Sequence, residues 1–502
     1  MSNYRKNFGF THKSGILMPV SSLPSPYGIG NFGKGAYDFL DFLSATHQQC
    51  WQVLPLNPTA YGDSPYQSPA SMAGNPYFID PETLKEKGLL TASELKTARN
   101  SAVRVDYGWL FNTRFDLLRL AHSRFEGDRD YKSFCRKNAD WLDVYALFMA
   151  LKKENHYCPW SQWEDCYRIY ENAIERKDEF SEEMEFWKWV QFEFFAQWKK
   201  LREYARGKGI KIIGDIPIYV AYDSADVWSN PDMFLLDDDL VPTLVAGCPP
   251  DAYAEDGQLW GNPIYNWELI REQDFAWWIA RVKASLALYD VLRIDHFRGF
   301  SGYYVIPYGE ETARGGWWES APGKALFDAV KDAIPDAKII AEDLGFITDD
   351  VRELLEYTGF PGMKVLQFAF YDDESDSLPR NYKNENVVVY SGSHDADCTY
   401  SWCKSLKGDT LKRFRKECLK DCGADGRSRT QAVIALAMKS SANLAMIPMQ
   451  DYLELSNEKG RMNVPSVAQG NWTWRVKANY ATDELKERIL FLTKEGKREY
   501  VK

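Results

Sequence analysis

Three short apolar runs of the sequence each end in a carboxylic acid, and two of these acids adjoin a histidine. Asp295 precedes His296, Asp395 follows His394, and Glu342 ends the third run. Paired carboxylates can break and re-form a glycosidic bond, because an ionised acid serves as nucleophile while a protonated acid releases the leaving oxygen. One such acid alone would indicate only a cap or an ion-pair partner. Three of them in a chain with six histidines favour glycoside chemistry.

Arg293 stands two residues before Asp295, so both side chains point to the same side of a β-strand. A neighbouring guanidinium lowers the pKa of a carboxyl group, and Arg293 is therefore expected to keep Asp295 ionised, as a nucleophile requires.

A binuclear metal site is the rival use of clustered acids and histidines. The metal site is the weaker hypothesis, because no HxH or HxxxH spacing stands near these acids. The sequence also shows no calcium loop of alternating Asp and Asn, so we expect no metal, and no cofactor is implied.

Length and charge exclude several classes of protein. A chain of 502 residues with 45% hydrophobic residues is long enough to build a large core, which excludes a disordered chain. The net charge of −11 disfavours a nucleic-acid partner, because that function needs a basic surface. No run of 18 apolar residues appears, so membrane association is not expected, and nine cysteines without repeated CxxC spacing indicate a reduced, cytoplasmic protein. Nothing in the sequence indicates an oligomeric state.

Aromatic residues make up 15% of the chain, and several stand in loop-like sequence rich in Gly, Pro, Asn and Asp. Examples are the segments 61–67 and 258–263. Flat apolar rings beside amide and carboxylate groups suit the faces and hydroxyl edges of sugars. Composition alone still favours ordinary packing over ligand binding.

Eight short apolar or β-branched runs are candidate buried parallel strands. They are Ile16–Val20, Cys50–Leu56, Ile210–Val220, Val291–Phe297, Lys338–Leu344, Met363–Phe370, Val387–Ser391 and Leu444–Met449. Helical patterns separate several of them, as in Thr348–Tyr357. The alternation is typical of an α/β protein, and the absence of a glycine-rich dinucleotide turn favours a (β/α)8 TIM barrel over a doubly wound sheet.

The spacing of the runs predicts one catalytic barrel over residues 1–502 with two insertions. Residues 80–206, between the second and third strands, are charged and helical in period, which predicts an inserted helical subdomain. Residues 221–274, after the third strand, are loop-rich and are expected to form part of an active-site lid. In such a barrel the chemistry lies at the carboxyl ends of the strands, where the three acids stand.

Several motifs of the chain resemble a known family. The segments 292–299 (LRIDHFRG), 340–345 (IAEDLG) and 393–395 (SHD) resemble the retaining α-glucanases. Four more narrow the resemblance to glycoside hydrolase family 77, the 4-α-glucanotransferases: 21–30 (SSLPSPYGIG), 61–68 (YGDSPYQS), 214–220 (GDIPIYV) and 257–263 (GQLWGNP). The resemblance runs from about Gly15 to Arg475, in order along the chain.

The resemblance implies a role for each acid. Asp295 would be the nucleophile, Glu342 the general acid and base, and Asp395 the acid that binds sugar hydroxyls and stabilises the transition state. Arg293 and His394 would assist at the same subsite.

The resemblance also implies substrate-binding residues. Tyr66 would stack on the transferred sugar, with Ser64 and Gln67 near it. Asp251, Gln258 and Trp260 fall in a long loop that would close over the glucan. The remaining substrate-binding residues implied are Tyr61, Asp215 and Asn463.

The chain departs from the usual family pattern at two places. Asp395 is followed by Ala396, Asp397 and Cys398 where Asn usually comes first, and residues 466–469 read SVAQ where Gly-Thr is commoner. These changes bear on the outer subsites and the preferred glucan length.

The resulting hypothesis is transfer of a 1,4-α-glucan segment, from maltooligosaccharides or related glucans, to the 4-hydroxyl of glucose or another glucan, by a retaining double displacement. An α-glucan hydrolase with the same acids is the alternative within enzymes. A non-catalytic glucan-binding protein that has kept the barrel is the alternative from another class.

Overall fold

The computed structural model describes residues 9–60, 62–250, 254–420 and 427–499. Eight short strands with largely apolar, buried side chains pair side by side in parallel. In the order in which they lie in the sheet, they are β10 (Gly362–Val365), β11 (Val387–Tyr390), β12 (Leu444–Pro448), β1 (Lys13–Leu17), β2 (Cys50–Gln52), β3 (Lys211–Ile216), β6 (Val291–Ile294) and β9 (Ile339–Ala341). Each overlaps one of the eight predicted runs.

The two ends of this sheet meet between β9 and β10. The N–H of Ala341 donates to the carbonyl of Pro361 at 3.0 Å. The N–H of Met363 donates to Oδ1 of Asp343 at 2.6 Å. The eight parallel strands therefore form a ring, and the predicted (β/α)8 TIM barrel is confirmed.

Four further strands form a separate antiparallel sheet. They are β4 (Leu244–Cys248), β5 (Gln258–Pro263), β7 (Gly302–Pro307) and β8 (Trp317–Ser320), in the order β5, β4, β7, β8. The first two come after β3 and the last two after β6. The sheet therefore joins the long connections that follow two neighbouring barrel strands. The interpretation of 221–274 as loop-rich did not include this sheet.

The helices surround the barrel or build the long excursion between β2 and β3. They are α1 (Lys34–Ala45), α2 (Pro81–Glu86), α3 (Ala92–Thr97), α4 (Tyr107–His122), α5 (Arg129–Lys137), α6 (Ala139–Glu154), α7 (Asp165–Arg168), α8 (Tyr170–Glu175), α9 (Ser181–Gly207), α10 (Ala225–Ser229), α11 (Trp267–Glu272), α12 (Ala276–Leu288), α13 (Gly323–Ala333), α14 (Asp349–Thr358), α15 (Thr399–Ser405), α16 (Gly408–Phe414), α17 (Arg429–Lys439), α18 (Met449–Tyr452), α19 (Asn457–Gly460) and α20 (Asp483–Glu495).

Helix α9 is the centre of the excursion between β2 and β3. Its side chains Trp187, Trp189 and Trp198 are buried, so the aromatic residues here serve packing. The guanidinium of Arg114, on α4, is also buried and donates to the carbonyls of Tyr27 and Tyr77. The bond to Tyr27 joins this connection to the segment that follows β1.

In the part of the chain that the structure describes, none of the helices combines the length and the apolar character needed to cross a lipid bilayer.

Candidate active site

Asp295 and Glu342 follow the carboxyl ends of two neighbouring barrel strands, β6 and β9. The N–H of Asp295 donates to the carbonyl of Ile216 at 2.9 Å, and the N–H of Glu342 donates to the carbonyl of Ile294 at 3.0 Å. Both backbones thus continue the parallel hydrogen-bond ladder one step beyond the strands. This places the two predicted acids side by side at the end of the barrel where chemistry takes place in this fold.

Arg293 lies between two acids at the bottom of the site. Its Nη2 is 2.9 Å from Oδ1 of Asp295, and its Nη1 is 2.7 and 2.6 Å from the two carboxylate oxygens of Asp215. The side chains of Arg293 and Asp215 are buried, whereas that of Asp295 is 28% exposed. Asp215 therefore binds Nη1 of Arg293, and Nη2 of the same guanidinium binds Asp295, which is the more exposed of the two acids.

Asp215, which is predicted to bind substrate, lies behind Arg293 in this arrangement. Its side chain has no exposed surface, and its oxygens accept hydrogen bonds from Arg293 and from the hydroxyl of Tyr66 at 2.9 Å. Asp215 thus orients Arg293 and Tyr66 rather than facing the mouth. Its position in the sequence could not show this, because both partners, Arg293 and Tyr66, come from other segments of the chain.

Tyr66 connects Asp215 to His394, which follows β11, the seventh barrel strand in sequence. Its hydroxyl oxygen lies 2.9 Å from Nε2 of His394, and the two rings stack with centroids 5.4 Å apart and planes 10° from parallel. The ring of Trp472 lies 5.7 Å from that of Tyr66 and 6.1 Å from that of His394. Three aromatic rings from distant segments therefore meet beside the acids.

Asp395 is paired with His394 and with an amide. Its Oδ2 lies 3.1 Å from Nε2 of His394, and its Oδ1 accepts a hydrogen bond of 2.6 Å from Nδ2 of Asn463. Burial alone would raise the pKa of Asp395, but His394 and Asn463 lower it to about 2. Asp395 is accordingly ionised across the physiological range, and its side chain is 43% exposed.

Glu342 is held by two backbone donors in the turn that follows β9. The N–H of His296 donates to its Oε2 at 2.7 Å, and the N–H of Leu344 donates to its Oε1 at 2.8 Å. His296, which supplies the first of these donors, adopts a left-handed backbone conformation with φ of 51°. Burial and the negative charge of Asp295 raise the pKa of Glu342 to about 8.

The pKa of Asp295 differs from its expected direction. Burial raises it to about 6, and Arg293 opposes that rise without reversing it. The expected lowering by Arg293 is thus outweighed, because desolvation penalises the charged carboxylate. The pKa of Asp295 nevertheless stays below that of Glu342, as the chemistry needs. Near pH 7 Asp295 is ionised while Glu342 holds its proton.

The remaining acid near these strand ends, Asp343, has a structural position. Asp343, which follows Glu342 directly, points away from it and binds the N–H of Met363 at the junction of the ring. The sequence predicts this opposition, because adjacent side chains on a strand face opposite sides. In the part of the chain that the structure describes, no group of three or more His, Cys, Asp or Glu side chains has an arrangement that could hold a metal ion.

Strand β5 of the antiparallel sheet is joined to the segment that carries Tyr66. The amides of Gln67 and Asn262 exchange hydrogen bonds of 2.9 and 3.2 Å, and Gln67 also donates to the carbonyl of Trp260 at 3.3 Å. Nε1 of Trp260 donates to Gln258 at 3.1 Å, and the indole ring meets that of His296 edge-on at 4.8 Å. Strand β5 is thereby fixed next to the residue whose N–H binds Glu342.

Not every predicted binding residue can be placed. Tyr61 and Asp251 lie outside the described residues. Ser64 shapes the turn, since its hydroxyl accepts the N–H of Tyr66 at 3.2 Å. Sequence reasoning missed Asn262, although it lies in the quoted motif 257–263 and the amide type was a signal.

A (β/α)8 barrel with an ionised carboxylate beside a guanidinium, a neighbouring protonated carboxyl group and stacked rings defines a class of enzyme, one that acts on glycosidic bonds by paired acids. The family model of the 4-alpha-glucanotransferases, glycoside hydrolase family 77, matches residues 18–481. The chain belongs to this family, and the resemblance seen in the motifs is confirmed.

Individual relatives agree with the family assignment. A 4-alpha-glucanotransferase of Clostridium butyricum is 48% identical over 485 residues, which covers 95% of this chain and 99% of the relative. A 4-alpha-glucanotransferase of Aquifex aeolicus is 46% identical over 471 residues, covering 93% and 96%. The solved amylomaltase of Streptococcus agalactiae, in complex with acarbose, has a TM-score of 0.93 and 37% identity, covering 97% of this chain and all of that one.

Proposed function

We propose that the protein transfers 1,4-α-glucan segments by a retaining double displacement in which Asp295 is the nucleophile and Glu342 the general acid and base. One arrangement carries these roles: on adjacent strand ends Asp295 lies 2.9 Å from the guanidinium of Arg293, whereas Glu342 pairs with no cation among the described residues and accepts the N–H groups of His296 and Leu344. Burial raises the pKa of both acids, and it raises that of Glu342 further because the charge of Asp295 adds to it. The two acids therefore differ in protonation at neutral pH, which is the requirement of this chemistry.

In the first half-reaction a carboxylate oxygen of Asp295 attacks the anomeric carbon of the donor. The bond from that carbon to the glycosidic oxygen breaks, and the proton of Glu342 passes to the departing oxygen. In the second half-reaction the carboxylate of Glu342 takes the proton of the acceptor 4-hydroxyl. The acceptor oxygen then attacks the same carbon and releases Asp295, so two inversions give net retention.

Asp395 and its neighbours would bind the sugar ring at the reacting centre. Asp395 is ionised and partly exposed, so its oxygens can accept hydrogen bonds from ring hydroxyls that strengthen in the transition state. The stacked rings of Tyr66 and His394 offer an apolar face for the sugar. Arg293 would stabilise the carboxylate of Asp295 as it leaves the glucosyl carbon.

The donors we propose are maltooligosaccharides and related 1,4-α-glucans, with glucose or another glucan as acceptor. Membership of the 4-alpha-glucanotransferase family and the similarity to an amylomaltase solved with acarbose support this choice. Strand β5, with Trp260 and Gln258 fixed beside His296, is the part of the lid that would hold the acceptor and keep water away.

Incubation with maltotriose tests the proposal against hydrolysis and against binding alone. Transfer predicts a ladder of longer and shorter glucans with a constant number of reducing ends. Hydrolysis predicts that reducing ends accumulate and that no longer chains form. A glucan-binding protein without activity would leave maltotriose unchanged.

We also propose a cytoplasmic location. The support is the cysteine chemistry: none of the eight cysteines that the structure describes forms a disulfide with another described residue, as expected in a reducing compartment.

A further inference from the structure

The carboxyl group of Asp451 binds both ends of the segment that carries His394 and Asp395. Its Oδ2 accepts hydrogen bonds of 2.6 Å from the hydroxyl of Ser391 and 2.7 Å from the hydroxyl of Thr399, and its Oδ1 accepts one of 2.9 Å from the N–H of Thr399. Ser391 follows β11, and Thr399 begins α15. Between them the chain carries His394 and Asp395.

Asp451 comes from α18, which directly follows β12, the barrel strand next to β11. The helix that follows the neighbouring strand therefore supplies the side chain that binds both ends of the segment 391–399. Asn463 binds the middle of the segment, because its N–H donates to the carbonyl of His394 at 3.1 Å and its side-chain amide donates to Asp395.

Burial of this carboxylate is costly. The side chain is 2% exposed, and the groups that bind it are two hydroxyls and one N–H rather than a cation. A buried carboxyl group without a cationic partner contributes little to the stability of the fold, since desolvation penalises its charged form. Two acceptor oxygens, however, can fix three donors at defined positions, which an apolar side chain cannot do.

We propose that Asp451 is a positioning residue for the transfer reaction: by binding Ser391 and Thr399 it holds the segment 391–399 so that Asp395 and His394 meet the sugar ring. The inference rests on the proposed role of Asp395. Asp451 touches neither substrate nor a reacting atom, and it acts through Asp395. The direction of its effect follows from geometry, because a displacement of about 1 Å in a catalytic group can cost about 100-fold in rate.

The test compares Asp451→Asn with a matched variant, Asp80→Asn. Asp80 is also buried and also accepts the N–H and the hydroxyl of one threonine, Thr83, both at 3.0 Å, but it caps α2 in the excursion between β2 and β3. We expect Asp451→Asn to lower kcat on maltotriose about 10- to 100-fold with KM within about twofold. Asp80→Asn should leave both constants within about twofold, whatever its effect on Tm.

A second pair of variants keeps the test valid if Asp451→Asn folds poorly. Thr399→Val removes one donor without changing the shape of the side chain, and Thr399→Ser keeps the hydroxyl. We expect kcat to fall several-fold in the first and to be restored in the second. If neither Thr399→Val nor folded Asp451→Asn lowers kcat beyond twofold, the proposal is wrong.

A double-mutant cycle with Asp395→Asn identifies the route of the effect. If Asp451 acts through Asp395, adding Asp451→Asn to Asp395→Asn should change kcat by less than about twofold. Effects that multiply would overturn positioning through Asp395. Full activity of Asp395→Asn alone would instead contradict the proposed role of Asp395, so the two failures give different results.

Discussion

Arg293 and Asp215 form a buried ion pair in which Nη1 lies 2.7 and 2.6 Å from the two carboxylate oxygens. The pair lies directly behind the proposed nucleophile, because Nη2 of the same guanidinium binds Asp295 at 2.9 Å. The positive charge of Arg293 is thus shared between two acids. Asp215 contributes to the raised pKa of Asp295, since its own negative charge opposes ionisation there.

Replacing Asp215 with Asn should therefore move the acid limb of the pH profile. Without the charge of Asp215, Arg293 acts on Asp295 alone, and the pKa of Asp295 should fall by about one unit from its value of about 6. The measurement is kcat/KM on maltotriose between pH 4 and pH 7. The loss of a buried partner of Arg293 should also cost about 3 kcal/mol in the free energy of unfolding.

Tyr66→Phe is the matched control for this variant. It removes the hydroxyl that binds Asp215 but leaves the charge of Asp215 in place. Its acid limb should stay within about 0.3 units of the wild-type position, although kcat should fall because the hydroxyl also meets His394. An acid limb that moves upward in Asp215→Asn would contradict the electrostatic account.

The wild-type enzyme should show a bell-shaped dependence of kcat/KM on pH. Asp295 must be ionised, so activity should be lost as pH falls through about 6. Glu342 must be protonated in the first half-reaction, so activity should be lost as pH rises through about 8. In Glu342→Gln the alkaline limb should disappear while the acid limb remains. An alkaline limb that persists in this variant would assign it to another group.

Asp295→Asn should lose turnover by about four orders of magnitude and still bind glucan, because the amide cannot form the glucosyl-enzyme but keeps nearly the shape of the acid. The comparison is kcat on maltotriose against the dissociation constant for a maltooligosaccharide by calorimetry. Asp343→Asn is a suitable control, since Asp343 binds the N–H of Met363 and points away from the site. More than a few per cent of wild-type turnover in Asp295→Asn would remove Asp295 as the nucleophile.

Gln67→Ala should shift the balance between transfer and hydrolysis. The variant breaks the reciprocal amide pair with Asn262 and the bond to the carbonyl of Trp260, which join β5 to the segment of Tyr66. Loss of these bonds frees the proposed acceptor lid, and the ratio of released reducing ends to transfer products should rise about two- to tenfold.

The control for the lid prediction is Gln162→Ala. Gln162 lies in the turn at 160–162, within the excursion between β2 and β3. It should leave the ratio of hydrolysis to transfer unchanged. A ratio that stays constant in Gln67→Ala would show that the amide pair does not control access of water.

The sequence by itself determined the barrel strands and the family, and it placed the three candidate acids at strand ends. The eight apolar runs predict the eight parallel strands, because strands buried on both faces must be apolar throughout. The opposed directions of Glu342 and Asp343 also follow from the sequence, since alternation along a strand is a local property. The family motifs are short stretches of sequence, so the assignment to family 77 required no tertiary structure.

Only the tertiary structure decided which charges are buried and what they touch. Asp215 binds the guanidinium of Arg293 because side chains of neighbouring strands meet in the folded barrel. The sequence does not encode the distance between them. The pKa of Asp295 rose rather than fell because desolvation depends on every segment that packs around the mouth. The antiparallel sheet and the hydrogen bonds of Asp451 likewise join segments that are far apart in the chain. Their contacts therefore exist only once the barrel has closed.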